Sequence, residues 1–212
     1  MPLAAPSSAS VVANPQNSAL TPRGQRTRAK LLSAAERVFG EAGFERASIV
    51  EITKTAGVAQ GTFYVYFESK QIVFAQLVDT LGESLRAELR EATAGLDSRM
   101  AVEEAGFDAF LAFIQTHRHL YKIVRQAEFV DETLYRRYYA RLAKGYVRGL
   151  ESAMEQGEFA ALDAEAIAYA LMGMFDFIGM RWVLWEGKLP PPHVRDAVLS
   201  FLRSGLLTRE HA

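Results

Sequence analysis

Seven side chains between residues 48 and 70 could together grip a nucleic acid: Ser48, Gln60, Gly61, Thr62, Tyr64, Tyr66 and Lys70. Gln and Thr can hydrogen-bond base edges or phosphates, Tyr hydroxyls and Lys ammoniums meet phosphate oxygens, and glycine lets a backbone come close to a groove. A sequence spacing serves such chemistry only if the elements carrying it are rigid. Ser48 stands where an N-cap belongs, with Glu51 three residues on as its capping-box partner, so a helix of barely two turns is expected over Ile49–Ala56. Gly57 supplies the left-handed residue that a sharp helix–helix turn needs, and Val58 plugs the elbow. A third helix is expected over Gln60–Tyr66. On its wheel Ala59, Phe63 and Tyr66 share one side while Gly61, Tyr64 and Val65 lie opposite, a small and largely polar face of a shape suited to the major groove.

An amphipathic helix precedes this pair over 27–43, with Ala29, Leu31, Leu32, Ala35, Val38 and Phe39 at three- and four-residue spacing and Gly43 as its stop. Before it, residues 1–22 are rich in Ala, Ser, Pro and Asn and read as a disordered arm, with Arg23, Arg26 and Arg28 at its junction with the helix. The net charge of −1 conceals an asymmetry: residues 21–70 hold eight Lys/Arg against five Glu, and the remainder of the chain is acidic. A basic end on an acidic body fits a polyanion partner.

The run from Phe44 to Val78 resembles the DNA-binding domain of TetR-family transcriptional regulators. The resemblance rests on Ser48, Ile52, Ala56-Gly57-Val58, Gly61-Thr62-Phe63-Tyr64, Tyr66-Phe67, Ser69-Lys70 and Val73. Thr53, Ala59 and Phe63 depart from the family's usual Ala, Ser and Leu, and Ala59 lacks the hydroxyl that often caps the recognition helix. The resemblance implies DNA contact by the seven side chains named above, with Ser48, Tyr64, Tyr66 and Lys70 assigned to phosphates and Gln60, Gly61 and Thr62 nearer the bases. It also implies a homodimer on a palindromic double-stranded operator and a body that binds a small-molecule effector.

Residues 71–212 show helical periodicity throughout and no alternating strand pattern. The expected architecture is therefore all-α: an N-terminal three-helix helix-turn-helix DNA-binding domain over 23–70, and a C-terminal helical ligand-binding and dimerisation domain over 71–212. Helices are expected over 70–94, 99–116, 121–129, 132–156, 164–185 and 193–207. The stretch 164–185 is almost uniformly apolar. As a membrane span it would place Asp176 and Arg181 in lipid at about 2.5–3.5 kcal/mol each, so burial between the chain's own body and a partner subunit is the better reading. The pair 164–186 and 193–207 resembles the family's dimer-forming helices.

Phe110, Phe113, Phe129, Tyr138 and Trp182 are aromatic candidates for an effector site, and Arg125 and Asp176 are charges in apolar company that could orient a ligand or pair with each other. The expected effector is apolar or aromatic, carrying an acidic group or an acyl chain. No nucleophile–base arrangement, phosphate loop or metal-ligand spacing is present, so neither catalysis nor a metal or other cofactor is expected. The absence of cysteine fits a cytoplasmic protein. A different class of reading, a DNA-anchored protein that recruits a protein partner, uses the same head.

Overall fold

A computed structural model describes residues 20–207. The expected arm, 1–22, lies outside the described residues except at its last three positions, and two of these already belong to the first helix and its cap. Thr21 caps that helix by accepting from the Gly24 N–H, and Pro22 occupies its first turn, where a missing N–H costs nothing. Helix α1 therefore runs Pro22–Ala42, five residues longer at its start than apolar periodicity alone indicates, because its first turns face solvent.

Helices α2 (Ile49–Ala56) and α3 (Gln60–Tyr66) follow, then α4 (Lys70–Ala92), α5 (Arg99–Thr116), α6 (Arg118–Val130), α7 (Glu132–Glu155), α8 (Ala164–Ile178) and α9 (Pro192–Leu206). A π-helical turn, Gly179–Leu184, continues α8. The described residues hold no strand beyond one isolated bridge, Phe159 with Leu207, so the all-α expectation is met. Gly43 and Gly57, at φ of 82° and 68°, make the two turns of the head in the left-handed region that an L side chain resists.

The head is held by aromatics. Phe39, Phe44 and Phe74 form a triangle with ring centroids 5.0–5.7 Å apart, and Phe63 and Phe67 pin α3 beneath them. Contacts of this kind add about 0.5–1.5 kcal/mol per pair to the burial of the rings themselves. Helix α4 belongs to both halves: Val73 and Phe74 are buried in the head, and Leu81 and Leu85 in the body.

Helix α6 is the second joint. It packs on α1 so closely that a Cβ on Gly40 would stand 2.7 Å from the His119 Cβ. The Gln126 amide spans the same seam, accepting from the Phe44 N–H at 2.7 Å and donating to the Phe39 carbonyl at 3.4 Å.

Helix α8 departs from uniform burial. Ala168, Leu171 and Phe175 are buried along one face, while Tyr169 and Phe177 stand exposed on another, and Trp185 is exposed just past the π turn. By length and hydropathy Ala164–Leu184 could cross a membrane, but it lies against α7 along its length and its π turn packs on α5. The π turn begins at Gly179, which packs closely on α5. A Cβ on Gly179 would come within 2.3 Å of Ile114 Cδ1, so a larger residue there would make the Ile114 side chain shift.

Candidate nucleic-acid interface and effector cavity

Helix α3 presents Gln60, Gly61, Tyr64 and Val65 to solvent, with Thr62 half-buried beside them. Phe63 is fully buried and holds the helix down, and its ring meets that of Tyr64 edge-on at 5.6 Å. Gly61 needs no glycine for the fold: a Cβ there would meet nothing within 4 Å. The space beside it is open, so the backbone of α3 lies bare to solvent at this position. Ala59 leaves α3 without a side-chain cap, as its missing hydroxyl implies.

Other members of the expected contact set are occupied. The Ser48 hydroxyl accepts from the Glu51 N–H and donates to the Glu51 carboxylate, while that carboxylate accepts from the Ser48 N–H. Tyr66 is half-buried against the core, and its hydroxyl lies near Gly24 at the start of α1. Lys70 differs most from its assignment to phosphate. Its ammonium donates to the carbonyls of Phe44 at 2.8 Å and Ala47 at 3.0 Å and sits 4.3 Å from the Phe44 ring centre. It ties the α1–α2 connection to the start of α4, leaving one N–H for any other partner. Lys70→Ala is expected to cost about 2–3 kcal/mol, the worth of charge-assisted hydrogen bonds, and to lower Tm by roughly 5–10 °C. Calorimetry on the free protein reads this without DNA.

In the body a cavity of about 620 Å³ opens among α4, α5, α7 and α8, with Tyr121 of α6 also in its wall. Its apolar lining includes Leu85, Leu89, Phe110, Leu142, Met172 and Phe175. Of the expected effector residues, Phe110, Tyr138 and Asp176 line it, and Arg125 reaches it through Asp176, whose carboxylate accepts from its guanidinium at 2.8 Å. Three of the expected residues lie outside its lining. Phe113 is buried in the core, its ring 4.4 Å from that of His117. Phe129 is 86% exposed near the end of α6. Trp182 lies on the π turn, outside the cavity lining, with the Arg181 guanidinium near its ring. Placement decides these cases: Phe113 is taken up by the core, Phe129 by the exposed end of α6, and Trp182 by the π turn.

Several polar lining groups lie outside the expected set. Glu103, 3% exposed on α5, pairs with Arg99 at 2.7 Å and accepts from the Tyr146 hydroxyl. Burial, and then the Glu103 carboxylate, push the Tyr146 phenol well above its ordinary pKa, so it stays a donor. The available signal was a glutamate at the i+4 position from Arg99, on a face that also carries Phe107. Burial lifts the Asp176 carboxyl to about 6. A raised native pKa favours folding most at low pH, and this contribution is lost as the pH rises through about 6.

Six cations line the cavity, Arg86, Arg90, Arg99, Arg141, Lys144 and Arg148, against the carboxylates of Glu103 and Asp176. Arg141 is paired with Asp79 and Arg99 with Glu103. Among the described residues, no carboxylate lies within ion-pair distance of Arg86, Arg90, Lys144 or Arg148.

Residues 31–77 match the tetR family of bacterial regulatory proteins. The chain is 29% identical over 194 residues to an uncharacterized HTH-type transcriptional regulator, YdgC, of Bacillus subtilis, covering 88% of this chain and 96% of that one. It is also 29% identical over 175 residues to the HTH-type transcriptional regulator TtgR of Pseudomonas putida, covering 76% and 81%. In fold it is similar to the fatty acid degradation regulator FadR of Bacillus halodurans, with a TM-score of 0.75 at 19% identity over 87% of this chain and 96% of that one. Bacillus subtilis FadR, solved in complex with stearoyl-CoA, gives a TM-score of 0.73 at 20% identity over 84% and 98%. With its capped α2, glycine turn and exposed α3, the head over residues 31–77 is a DNA-binding domain of the tetR family of bacterial regulatory proteins, set on an all-helical body, and the chain is similar over most of its length to HTH-type transcriptional regulators.

Proposed function

We propose that the protein is a homodimeric repressor that holds a palindromic operator through α3 of each subunit and releases it when an effector fills the body cavity. In this reading residues 23–70 are the DNA-binding unit, 71–212 the effector-binding and dimerisation unit, and the protein works in the cytoplasm without catalysing a reaction or inserting in a membrane. Gln60, Gly61, Thr62 and Tyr64 form the contact face, with Ser48, Tyr66 and Lys70 chiefly supporting it.

The observation that carries the reading is the placement of Arg125 and Gln126 on α6. Arg125 holds Asp176 in the cavity wall, and its neighbour Gln126 holds the backbone of Phe39 and Phe44 in the head. A ligand that shifts α6 therefore moves the head. Release follows if the ligand binds more tightly to the body conformation whose heads no longer match the half-site spacing.

The cavity volume suits a small molecule with an apolar or aromatic body, and the unpaired cations in its lining favour an anionic end. A long-chain acyl group on a phosphate-bearing carrier has that form, and the fold's similarity to a FadR bound to stearoyl-CoA supports the choice.

The test takes an operator selected from random duplexes and measures its affinity with and without stearoyl-CoA. Coupling energies of about 1–3 kcal/mol correspond to a 5–150-fold loss of operator affinity on effector binding. Gln126→Leu is expected to keep both binding events but to lose most of that factor. Unaltered coupling in this variant would remove α6 from the transmission path.

A further inference from the structure

Burial divides the cavity lining in two. Leu85, Glu103 and Phe175 are buried, whereas Arg90, Lys144 and Arg148 are exposed, with Arg86 half-buried beside them. The cations therefore stand at the mouth, on its two rims. Arg86 and Arg90 lie four apart on α4, and Lys144 and Arg148 four apart on α7, so each rim is a pair of like charges in neighbouring turns. Such a pair slightly weakens the helix that carries it. The two carboxylates of the lining serve neither rim: Glu103 is held by Arg99 and Tyr146, and Asp176 by Arg125.

The two helices are clamped together just before the mouth. Asp79 of α4 accepts from Arg137 at 3.0 Å and from Arg141 at 2.9 Å, both on α7. Next to that pair a Cβ on Gly82 would stand 3.2 Å from the Tyr138 ring. Past the clamp, opposite charges give way to like ones. Helix α4 also buries Val73 and Phe74 in the head, so a group that binds both rims acts on an element the head is built on.

We propose that the mouth between α4 and α7 is a subsite for a headgroup with two or more phosphate charges, and that the response to the effector depends on its occupancy. This rests on the effector reading above and adds to it a division of labour. The apolar chamber takes the tail, and the headgroup bridges the rims. A single carboxylate offers two acceptor oxygens, enough for one cation pair, whereas a headgroup with several phosphates can neutralise both. The ligand class that follows is an acyl chain on a multiply phosphorylated carrier, in preference to the free acid.

The experiment titrates stearoyl-CoA by calorimetry into the full chain and two double variants, Arg90→Gln with Lys144→Gln and the charge-keeping Arg90→Lys with Lys144→Arg. Operator affinity of wild type is measured with saturating stearoyl-CoA and with stearate. The glutamine variant is expected to bind stearoyl-CoA about tenfold more weakly than wild type and with a shallower salt dependence, as loss of charge-assisted contacts requires. The charge-keeping variant should recover most of that factor. Stearoyl-CoA should lower operator affinity and stearate should not. If the glutamine variant binds stearoyl-CoA as tightly as wild type, or the charge-keeping variant loses as much as the glutamine one, the inference is overturned and the effector reading stands. The same holds if stearate releases the operator as fully as stearoyl-CoA. If wild type does not bind stearoyl-CoA, or binds it with no change in operator affinity, the effector reading falls and this inference with it.

Discussion

Replacing Phe177 and Phe201 together by glutamate should convert the protein to a monomer and lower its operator affinity by about 10²–10⁴-fold, the avidity that joining two binding heads provides. Phe177 is 63% exposed on α8 and Phe201 68% exposed on α9, and Tyr169 and Trp185 stand bare beside them in sequence. Large aromatics at this exposure on the last two helices form the apolar surface that a second copy would cover. Full burial of a phenylalanine side chain contributes about 1.5–3 kcal/mol, so four such rings in a symmetric pair contribute roughly 6–12 kcal/mol. Glutamate removes that term and puts a charge where the interface would have to bury it. Both rings are mostly exposed on the subunit, so circular dichroism of the variant should keep the wild-type helical content, while Tm falls by the part the interface contributes. Sedimentation velocity reads the mass and gel shift the affinity. A double variant that sediments as a dimer would relocate the interface to another face.

The sequence carried the head almost whole because the head is built from local signals. Ser48 with Glu51, Gly57, and the Phe63 and Tyr64 phase fix α2, the turn and α3 within a few residues of each other. What it did not carry was which polar side chains are already engaged at long range. Lys70 meets carbonyls 26 and 23 residues earlier, and no spacing rule distinguishes that from a solvated lysine. The cavity repeats the lesson. Arg125 and Asp176 were legible as charges out of place, and the structure pairs them across 51 residues. Phe113, Phe129 and Trp182 stand out in sequence only as aromatics in helices, and their places in the fold leave none of them bordering the cavity. Tyr121 shows the converse: in sequence it is one more body aromatic, and its place in the cavity wall with a buried, unpartnered hydroxyl depends on how its neighbours pack. The length of α1 shows a milder form of the same gap, since Thr21 and Pro22 signalled the start but the polar turns after them gave no periodicity to follow.

Gly61→Leu is expected to raise the stability of the free protein slightly and to abolish operator binding. The two halves of that result separate a structural glycine from one reserved for a partner. A side chain at position 61 would project into open space, and leucine favours a helix over glycine by several tenths of a kcal/mol at least, so Tm should hold or rise. On DNA the same side chain stands between α3 and the groove, in each of two heads. Tyr64→Ala probes the neighbouring contact from the opposite direction. Tyr64 is 56% exposed and its ring packs edge-on to Phe63, so its loss should cost the fold little. A lost phosphate or base contact is worth about 1–3 kcal/mol, and two heads double it to roughly 2–6 kcal/mol, a fall of about 30- to 10⁴-fold in affinity. A phosphate contact weakens binding evenly across operator variants, while a base contact relaxes preference at one position of each half-site. Tyr64→Phe decides whether the hydroxyl or the ring carries the effect. If Gly61→Leu and Tyr64→Ala both bind the operator with wild-type affinity at physiological salt, the exposed face of α3 is not the surface that reads DNA.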